Sequence, residues 1–455
     1  MNGDFKEIFG FVDLGIGSMC LLLLLALSFW KKSQVEDLEM RRYFTPMMFM
    51  KFGMGFVFIS MYIFYYNGGD NTAYWQGGVK LNSLFFDNYT SYFKDLFYFG
   101  ENTYDDLIKF QNVGYPPNYI FKGYESWFVC KVVSVVSFLT FRSYLATSLV
   151  FTYFAMMGSW RLYELVVRYG VINKRNAAIA ALFIPSVGIW CSGITKDSLI
   201  YISLLYIITN VFSIFNGWKK IGFWSLFSIA LGLFIIYHLR TFIFYVVVVS
   251  IIVALIAGYQ KKAKSNFVFT LAYYIVLIIG FVSILFISAR SNSIETLNDS
   301  SFMDEVQTIQ NDFINNETYK GQRYSLGAVE FTVFGMLRLF PIAVITAFYR
   351  PFILEARSPI LLANALESLI FLWFTLKFLF QGNVFKKIRV ALGNELLSFS
   401  IYFALFLGFI AGFTSIIFGV LVRFRAPILP FLAIVLLSGI SAKVIMKPKE
   451  KQTDV

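Results

Sequence analysis

The chain is poor in charged residues, which make up 15% of its 455 residues, whereas hydrophobic residues make up 58%. Soluble globular proteins carry about 25% charged and about 45–50% apolar residues. The shortage of charge excludes a soluble enzyme and a disordered protein, and it indicates a polytopic membrane protein. Each helical crossing needs about 20 apolar residues, so the length accommodates about ten membrane helices.

Metal-ligating and disulfide-forming residues are also scarce. The sequence has one histidine, His238, which excludes a multi-histidine metal site. Its three cysteines are too few for a disulfide scaffold and lie in or beside apolar runs, which predicts packing roles. The N-terminal stretch MNGDFKEIFG is acidic and is not followed by a small-residue cleavage site. We therefore expect the first apolar run to remain as an anchor.

Apolar runs bounded by charge predict an all-α fold with about eleven membrane-spanning helices. The predicted spans are 12–30, 44–66, 143–160, 177–194, 198–216, 222–238, 241–258, 267–288, 358–379, 396–418 and 426–443. Two further apolar runs, 127–141 and 331–348, are short or interrupted. We interpret both as interfacial or re-entrant helices.

The net charge of +12 is explained by topology and not by a nucleic-acid partner. Basic residues collect in cytoplasmic loops because their translocation is disfavoured. If loop 31–43 is cytoplasmic, every predicted inner loop carries at least two Lys or Arg residues. The chain is therefore predicted to lie in the bacterial inner membrane, with its N-terminus outside and its C-terminus in the cytoplasm.

This topology predicts four regions. Residues 1–43 form an anchor helix and a cytoplasmic loop, and residues 44–288 form a transmembrane core that includes an outer loop, 67–142. Residues 289–357 form a second outer loop, and residues 358–455 hold the C-terminal membrane helices. Both outer loops mix charge with aromatic residues, which is typical of amphipathic helices that lie on a membrane surface.

Charged residues at the predicted outer ends of the spans are the candidate functional residues, because charge at membrane depth is costly and usually faces a cavity. They combine an excess of cations with three carboxylates: Asp70, Lys196, Asp197, His238, Arg240, Arg350, Glu355, Arg423 and Arg425. Tyr74 follows Asp70 at helical spacing. A cavity with several Arg and Lys side chains suits a phosphate-bearing lipid.

Each of these residues also has a structural interpretation. Asp70 follows two glycines and suits a turn. Asp197 suits the first turn of a helix, where its charge complements the helix dipole. The arginines can extend to lipid headgroups from the ends of spans. In the segment YRPFILEARSP, Glu355 is placed to orient the Arg350 guanidinium through an ion pair, or to act as a second base.

The order of several elements resembles the GT-C superfamily of polyprenyl-phosphate-dependent membrane glycosyltransferases. An acidic residue and a tyrosine open the first outer loop (Asp70, Tyr74), and an aromatic-Pro-Pro element follows (115–117). A helix then ends in a basic cluster (161–175), and another helix leads to an acidic outer turn at Asp197. The resemblance covers residues 44–260. The second half of the chain resembles bacterial envelope-polysaccharide membrane proteins.

The resemblance implies an inverting glycosyltransferase in which Asp70 is the catalytic base and Asp197 assists. It implies a polyprenyl-phosphate-linked sugar as donor, a glycan, lipid or protein as acceptor, and contact with membrane lipids. Tyr74, Lys196, His238, Arg240, Arg350, Glu355, Arg423 and Arg425 would bind substrate. In the family the first outer loop usually carries an acidic pair, which can ligate a divalent metal. Here Asn71 replaces the second acid, so metal dependence stays open, with Asp70 as its candidate ligand.

Two other functions remain open from sequence. An O-antigen-type polymerase or ligase would transfer a glycan from a lipid diphosphate and would rely on His238, Arg240 and Arg350 in place of Asp70. A flippase or transporter of lipid-linked sugars would require charges deep within spans or internal repeats. The charges cluster at one predicted face and no repeat is visible, which favours an enzyme.

Overall fold

The computed structural model describes residues 10–262, 322–326 and 333–440. The structure is 81% helical and its described residues form no strand, which confirms the predicted all-α class. Two compact units are built from interleaved segments. The first unit comprises the described residues of 1–160, 187–207 and 223–240, and the second comprises those of 161–186, 208–222 and 241–455.

The described α-helices are, in chain order, α1 (Phe11–Ser33), α2 (Leu38–Ser60), α3 (Asp70–Asp87), α4 (Tyr89–Leu96), α5 (Asn118–Lys122), α6 (Tyr124–Thr140), α7 (Tyr144–Tyr169), α8 (Lys174–Leu182), α9 (Pro185–Trp190), α10 (Lys196–Phe215), α11 (Phe223–Leu239), α12 (Thr241–Lys262), α13 (Val333–Tyr349), α14 (Pro359–Phe380), α15 (Val384–Leu392), α16 (Glu395–Thr414), α17 (Phe418–Arg425) and α18 (Leu429–Ile440). A π-helical turn, Met61–Tyr65, extends α2. Single 3₁₀ turns lie at Asp105–Phe110, Ile353–Glu355 and Ala426–Ile428.

Seven of the described helical segments are long and apolar enough to cross a membrane: Phe11–Ser33, Leu38–Tyr65, Lys196–Phe215, Thr241–Gln260, Pro359–Phe380, Glu395–Thr414 and Phe418–Ile440. Each overlaps a predicted span, but Leu38–Tyr65 and Phe418–Ile440 begin before the predicted starts at 44 and 426. Arg423 and Arg425, predicted to lie in an outer turn, are therefore inside the last of these helical segments. Helices α6 and α7 also pass this test as a pair, bent by 107°. The bend separates the predicted interfacial segment 127–141 from the predicted span 143–160.

The prediction of one continuous span over 177–194 is wrong. Two short helices, α8 and α9, occupy this stretch, and the chain is not helical at 183–184. Pro185 has no backbone N–H and disfavours a helical conformation at the residue before it, so the helix stops and a new one starts. Predicted span 222–238 corresponds to α11, which has only 17 residues. Predicted span 267–288 lies outside the described residues, so the total of eleven stays a prediction.

In the first unit, the principal packing contact joins α3 to α6. Gly77 and Gly78 let the two backbones approach closely, because a Cβ at Gly77 would lie 2.6 Å from Cys130 Sγ. Polar bonds fix the far end of α3: Asn82 Nδ2 donates to Ser134 O at 3.0 Å, and Arg142 Nε donates to Asn82 Oδ1 at 2.8 Å. This packing sets the position at which α3 begins.

In the second unit, α16 is the central helix and packs against α12, α13 and α18. Of its most apolar 18 residues, 83% are buried. Helix α18 packs in turn on α8 and α14. The segment 322–326 joins this core through a single bridge between Arg323 and Ile417 and through the buried Tyr324 ring, which packs on Phe418. These contacts hold Tyr324 beside Arg350, the residue that follows α13.

Candidate functional site

Asp70 begins α3 directly after a sharp turn. Asn67, Gly68 and Gly69 have φ angles of 52°, 107° and 135°, values that glycine adopts at little cost. Thr72 Oγ1 accepts a hydrogen bond from Gly69 N at 3.1 Å and donates to Gly69 O at 2.9 Å, which closes the turn. Asp70 is exposed in the first helical turn, whereas Tyr74, one turn further on, is buried with 4% exposure. The turn therefore leaves the Asp70 carboxylate accessible to a substrate, whereas the Tyr74 phenol is not.

The start of α3 meets the turn that precedes α10. A Cβ at Gly193 would lie 3.6 Å from Asn71 Nδ2, so the residue after Asp70 is close to the segment that leads to Lys196. The Asn71 side chain is fully buried and accepts a hydrogen bond from the Tyr144 hydroxyl at 2.7 Å. Its Nδ2 has no hydrogen-bond partner among the described residues. The structure thus brings the predicted residues Asp70 and Lys196 to one region.

Lys196 and Asp197 occupy the first turn of α10 but have different environments. Lys196 Nζ donates to Glu125 Oε2 at 2.8 Å, and this ion pair joins α10 to the start of α6. Asp197 is only 4% exposed and lies at the helix N-terminus, where the helix dipole stabilises a carboxylate. These environments favour a substrate-facing role for Lys196 and a structural role for Asp197.

Tyr119, on the short helix α5, lies close enough to Asp70 to sense its charge. Burial raises the pKa of the Tyr119 phenol, and the negative charge of Asp70 raises it further. The Tyr119 side chain is nevertheless 61% exposed. A neutral phenol beside an exposed carboxylate offers a hydrogen-bond donor to a polar substrate.

His238 lies in the last turn of α11 and contacts the start of α6. Its Nδ1 forms a hydrogen bond with the Tyr124 hydroxyl. The imidazole packs against the Phe99 and Phe128 rings, with ring-centroid distances of 4.8 and 5.2 Å, and it is 9% exposed. Arg240 follows outside the helix, where its backbone N–H bonds to Ile236 O at 2.8 Å. This aromatic packing and the low exposure make His238 a packed residue with little access to a substrate.

The first unit therefore gathers six side chains around the start of α6, which we call the Asp70 cluster. Its members are Asp70, Tyr119, Tyr124, Glu125, Lys196 and His238. Sequence reasoning identified three of them and missed the two tyrosines and Glu125. The element Tyr115-Pro116-Pro117 was a signal for Tyr119, because Pro117 directly precedes α5.

Arg350 and Glu355 form an ion pair in the second unit. Arg350 Nε lies 3.0 and 3.1 Å from the two carboxylate oxygens, and Nη2 also donates to Glu355. The guanidinium also lies over the rings of Tyr324 and Phe418 at 5.1 and 5.3 Å. Glu355 Oε2 accepts from Phe352 N at 2.8 Å, which closes the intervening turn. The Arg350 side chain is 20% exposed. Its contacts with Glu355, Tyr324 and Phe418 fix its position at the protein surface.

Arg425 is fully buried and bonds to backbone carbonyls. Its guanidinium donates to Arg350 O at 2.7 Å, to Asn364 O at 3.3 Å and to Phe348 O at 3.4 Å. Arg425 thus connects α17 to α14 and to the end of α13, and it positions the segment that carries Arg350. Arg423 lies on the same last turn of α17 and is partly exposed.

A divalent metal fits the described residues poorly. No group of three His, Cys, Asp or Glu side chains close enough to hold a metal ion occurs among them. Asn71, which stands where the family usually has a second acid, bonds through its oxygen to Tyr144 and is turned away from a ligand role. We therefore derive no metal-dependent step.

No protein-family model, curated protein or solved structure matches the chain. The resemblance to GT-C enzymes therefore remains a prediction that depends on the arrangement of residues described above.

The Arg350–Glu355 pair predicts a pH-dependent contribution to stability. Burial raises the pKa of Glu355, but hydrogen bonds from Arg350 and Phe352 N and the charge of Arg350 outweigh it, and the pKa lies below its ordinary value. A carboxyl with a depressed pKa stabilises the fold above its unfolded pKa of about 4.3. We expect the free energy of unfolding of wild type to exceed that of Glu355→Gln at neutral pH by at most about 1 kcal/mol, because the pair is partly exposed. Wild type should therefore have the higher melting temperature.

This difference in melting temperature should shrink as the pH falls from about 4.3 through the folded pKa of Glu355. Thermal unfolding of both proteins in detergent between neutral pH and pH 3 measures it. A difference that stays constant over that range would show that the ion pair does not contribute.

Proposed function

We propose that the chain is a membrane glycosyltransferase that moves a sugar from a polyprenyl phosphate to a cell-envelope glycan, lipid or protein. The observation that carries the proposal is the exposed Asp70 carboxylate at the start of α3, in the Asp70 cluster with Lys196 and Tyr119. The predicted topology places this cluster at the outer face of the bacterial inner membrane. Polyprenyl-linked sugars are themselves membrane-bound, which suits a chain whose described residues include seven helices capable of spanning a membrane.

In the proposed reaction, an acceptor hydroxyl oxygen attacks the anomeric carbon of the donor sugar. The new C–O bond forms as the bond between that carbon and the phosphate oxygen breaks, so the polyprenyl phosphate leaves with the electron pair. Asp70 takes the proton of the attacking hydroxyl, which is the role of a general base. In-line displacement inverts the anomeric configuration and needs no covalent intermediate.

The leaving phosphate gains negative charge, which fixed cations stabilise. Lys196 is the cation of the Asp70 cluster, and Glu125 holds its side chain in place at 2.8 Å. Arg350 is a second candidate for binding the phosphate of the donor lipid. Its Nε and Nη2 donate to Glu355, which fixes the guanidinium and leaves its Nη1 side for a phosphate oxygen.

A polymerase or ligase that uses a lipid diphosphate is the alternative. That activity would use His238 as a base, yet its imidazole is buried, packs against two phenylalanines and is bonded to Tyr124. The exposed Asp70 favours the transferase.

Purified protein in proteoliposomes, supplied with a radiolabelled sugar on undecaprenyl phosphate and a hydroxyl acceptor, tests the proposal. We expect labelled acceptor and one undecaprenyl phosphate released for each sugar transferred. Transfer only from a diphosphate-linked glycan would support the polymerase and contradict our proposal.

Arg350→Lys should weaken donor binding by about ten- to a hundredfold. Lys keeps the charge but loses the planar fork, and a charge-assisted hydrogen bond contributes about 1.5–3 kcal/mol. Donor affinity measured by competition with unlabelled lipid checks this. The matched control is Arg357→Lys, at an exposed arginine of the same segment, which should bind as wild type does. Equal affinity in Arg350→Lys would make Arg350 an interfacial anchor only.

A further inference from the structure

Helix α15 joins two of the helical segments that can span a membrane. The segment Pro359–Phe380 ends shortly before it, and the segment Glu395–Thr414 begins shortly after it. A connection this short between two crossings keeps α15 at the membrane surface. From Lys377 to Asn394 the chain carries four basic residues and no Asp or Glu. The connection is therefore strongly basic in sequence.

The residues of α15 divide between an apolar side and a basic side. Phe385, Ile388 and Leu392 are three and four residues apart, which places them on one side of the helix. Lys386 and Arg389 are also three residues apart and lie on a different side. Phe385 is 81% exposed, and Ile388 and Arg389 are exposed as well. A helix with Phe and aliphatic residues on one side and Lys or Arg on the other is typical of helices that lie in a membrane interface.

Packing within the second unit fixes the orientation of α15. The helix contacts α14, α16 and α18, and its Ala391 is buried. Lys387 Nζ donates to Phe378 O near the end of α14. A Cβ at Gly439 of α18 would lie 3.3 Å from Lys387 Cδ, so the stem of this lysine also packs on α18. Lys387 thus attaches α15 to its neighbours, and the exposed apolar side stays at the surface of the unit.

The end of α14 indicates the level of the membrane interface. Trp373 and Phe380 are exposed, and Lys377 Nζ lies over the Trp373 ring at 4.9 Å. Trp and Lys near the end of a span typically lie at the level of the lipid headgroups. Helix α15 begins at Val384, a few residues further on, and so reaches the same level. The predicted topology makes this the cytoplasmic leaflet, which carries anionic lipids.

We propose that α15 is an interfacial helix that docks on anionic lipids. Phe385 and Ile388 insert beside the acyl chains, and Arg389 binds a lipid phosphate. Insertion removes exposed apolar surface from water, which is favourable. Charge complementarity favours anionic headgroups, because a basic segment is attracted to a negative membrane surface. This docking involves none of the residues proposed for sugar transfer and is independent of that activity.

Spin labels on the full-length protein test the insertion, in vesicles of phosphatidylcholine and phosphatidylglycerol. The background is Cys20→Ser, in which the two remaining cysteines are fully buried. The label of Phe385→Cys should be accessible to molecular oxygen, which dissolves in the acyl chains, and shielded from a water-soluble nickel complex. The label of Lys386→Cys should show the opposite preference. A label at Phe385→Cys that the nickel complex reaches freely would overturn the proposal. Shielding of that label from both reagents would also overturn it, because a protein surface would then cover α15.

The preference for anionic lipid is tested with Arg389→Gln. Protein extracted from an equimolar mixture of phosphatidylglycerol and phosphatidylcholine retains lipids that mass spectrometry counts. Arg389→Gln should reduce the preference for phosphatidylglycerol about fivefold, because a basic residue at an anionic surface contributes about 1 kcal/mol. The matched control is Arg175→Gln, at another exposed arginine of the second unit, which should keep the wild-type preference. An unchanged preference in Arg389→Gln, or an equal loss in both variants, would overturn the proposal.

Discussion

Asp70→Asn is expected to reduce sugar transfer by about a hundred- to ten-thousandfold, the range of general base catalysis. Asn has nearly the same volume and suits the same turn, but its amide oxygen cannot take the proton of the acceptor hydroxyl. Asp70 is exposed, and the turn before it is closed by Thr72 and the glycine backbone. The variant should therefore keep the wild-type melting temperature and donor affinity, and only its rate of sugar transfer should fall.

The control for this experiment is Asp105→Asn, which removes another exposed carboxylate from the same unit. It should transfer sugar at the wild-type rate. If Asp70→Asn keeps most of its turnover, the base lies elsewhere and the glycosyltransferase proposal loses its main support.

Arg425→Met is expected to cost about 3–5 kcal/mol of stability, the range for a change that leaves a buried charge uncompensated. The substitution removes every guanidinium bond to the carbonyls of Phe348, Arg350 and Asn364. It also leaves the buried Glu367, which attracts Arg425 electrostatically, without that opposite charge. Methionine fills a similar volume, so the loss reports the polar contacts and not a cavity.

Unfolding in detergent by a titration with sodium dodecyl sulfate measures this cost. Arg423→Met, on the same helical turn but partly exposed, is the matched control and should lose much less stability. Glu367→Gln added to Arg425→Met should restore part of the loss, because it removes the uncompensated charge. A single variant as stable as wild type would contradict the role assigned to Arg425.

The sequence predicted seven helices well because each is a long apolar run between charges. Hydropathy alone could not predict the break in the helix at 183–184. Pro185 leaves backbone groups unpaired, and Glu367 Oε2 accepts a hydrogen bond from Ser186 N at 2.9 Å. This contact joins residues 181 positions apart, and no local pattern indicates it.

The candidate site was predictable in part for a similar reason. Asp70 and Lys196 stood out because charge beside an apolar run is costly, and that signal is local. Glu125 was missed because its importance arises from the long-range pair with Lys196. Asp197 carried the same local signal as Lys196, but it is buried at the start of α10, and only the structure separates the two.

The close contact between Gly77 and Cys130 makes this thiol a natural reporter of motion. Cys130 is fully buried, with its sulfur against the backbone of α3. An alkylating reagent can reach it only when α3 separates from α6, so the rate of alkylation equals the population of opened molecules multiplied by the intrinsic reactivity of the thiol. Because α3 begins at Asp70, the same measurement would show whether a bound substrate clamps this pair of helices or loosens it.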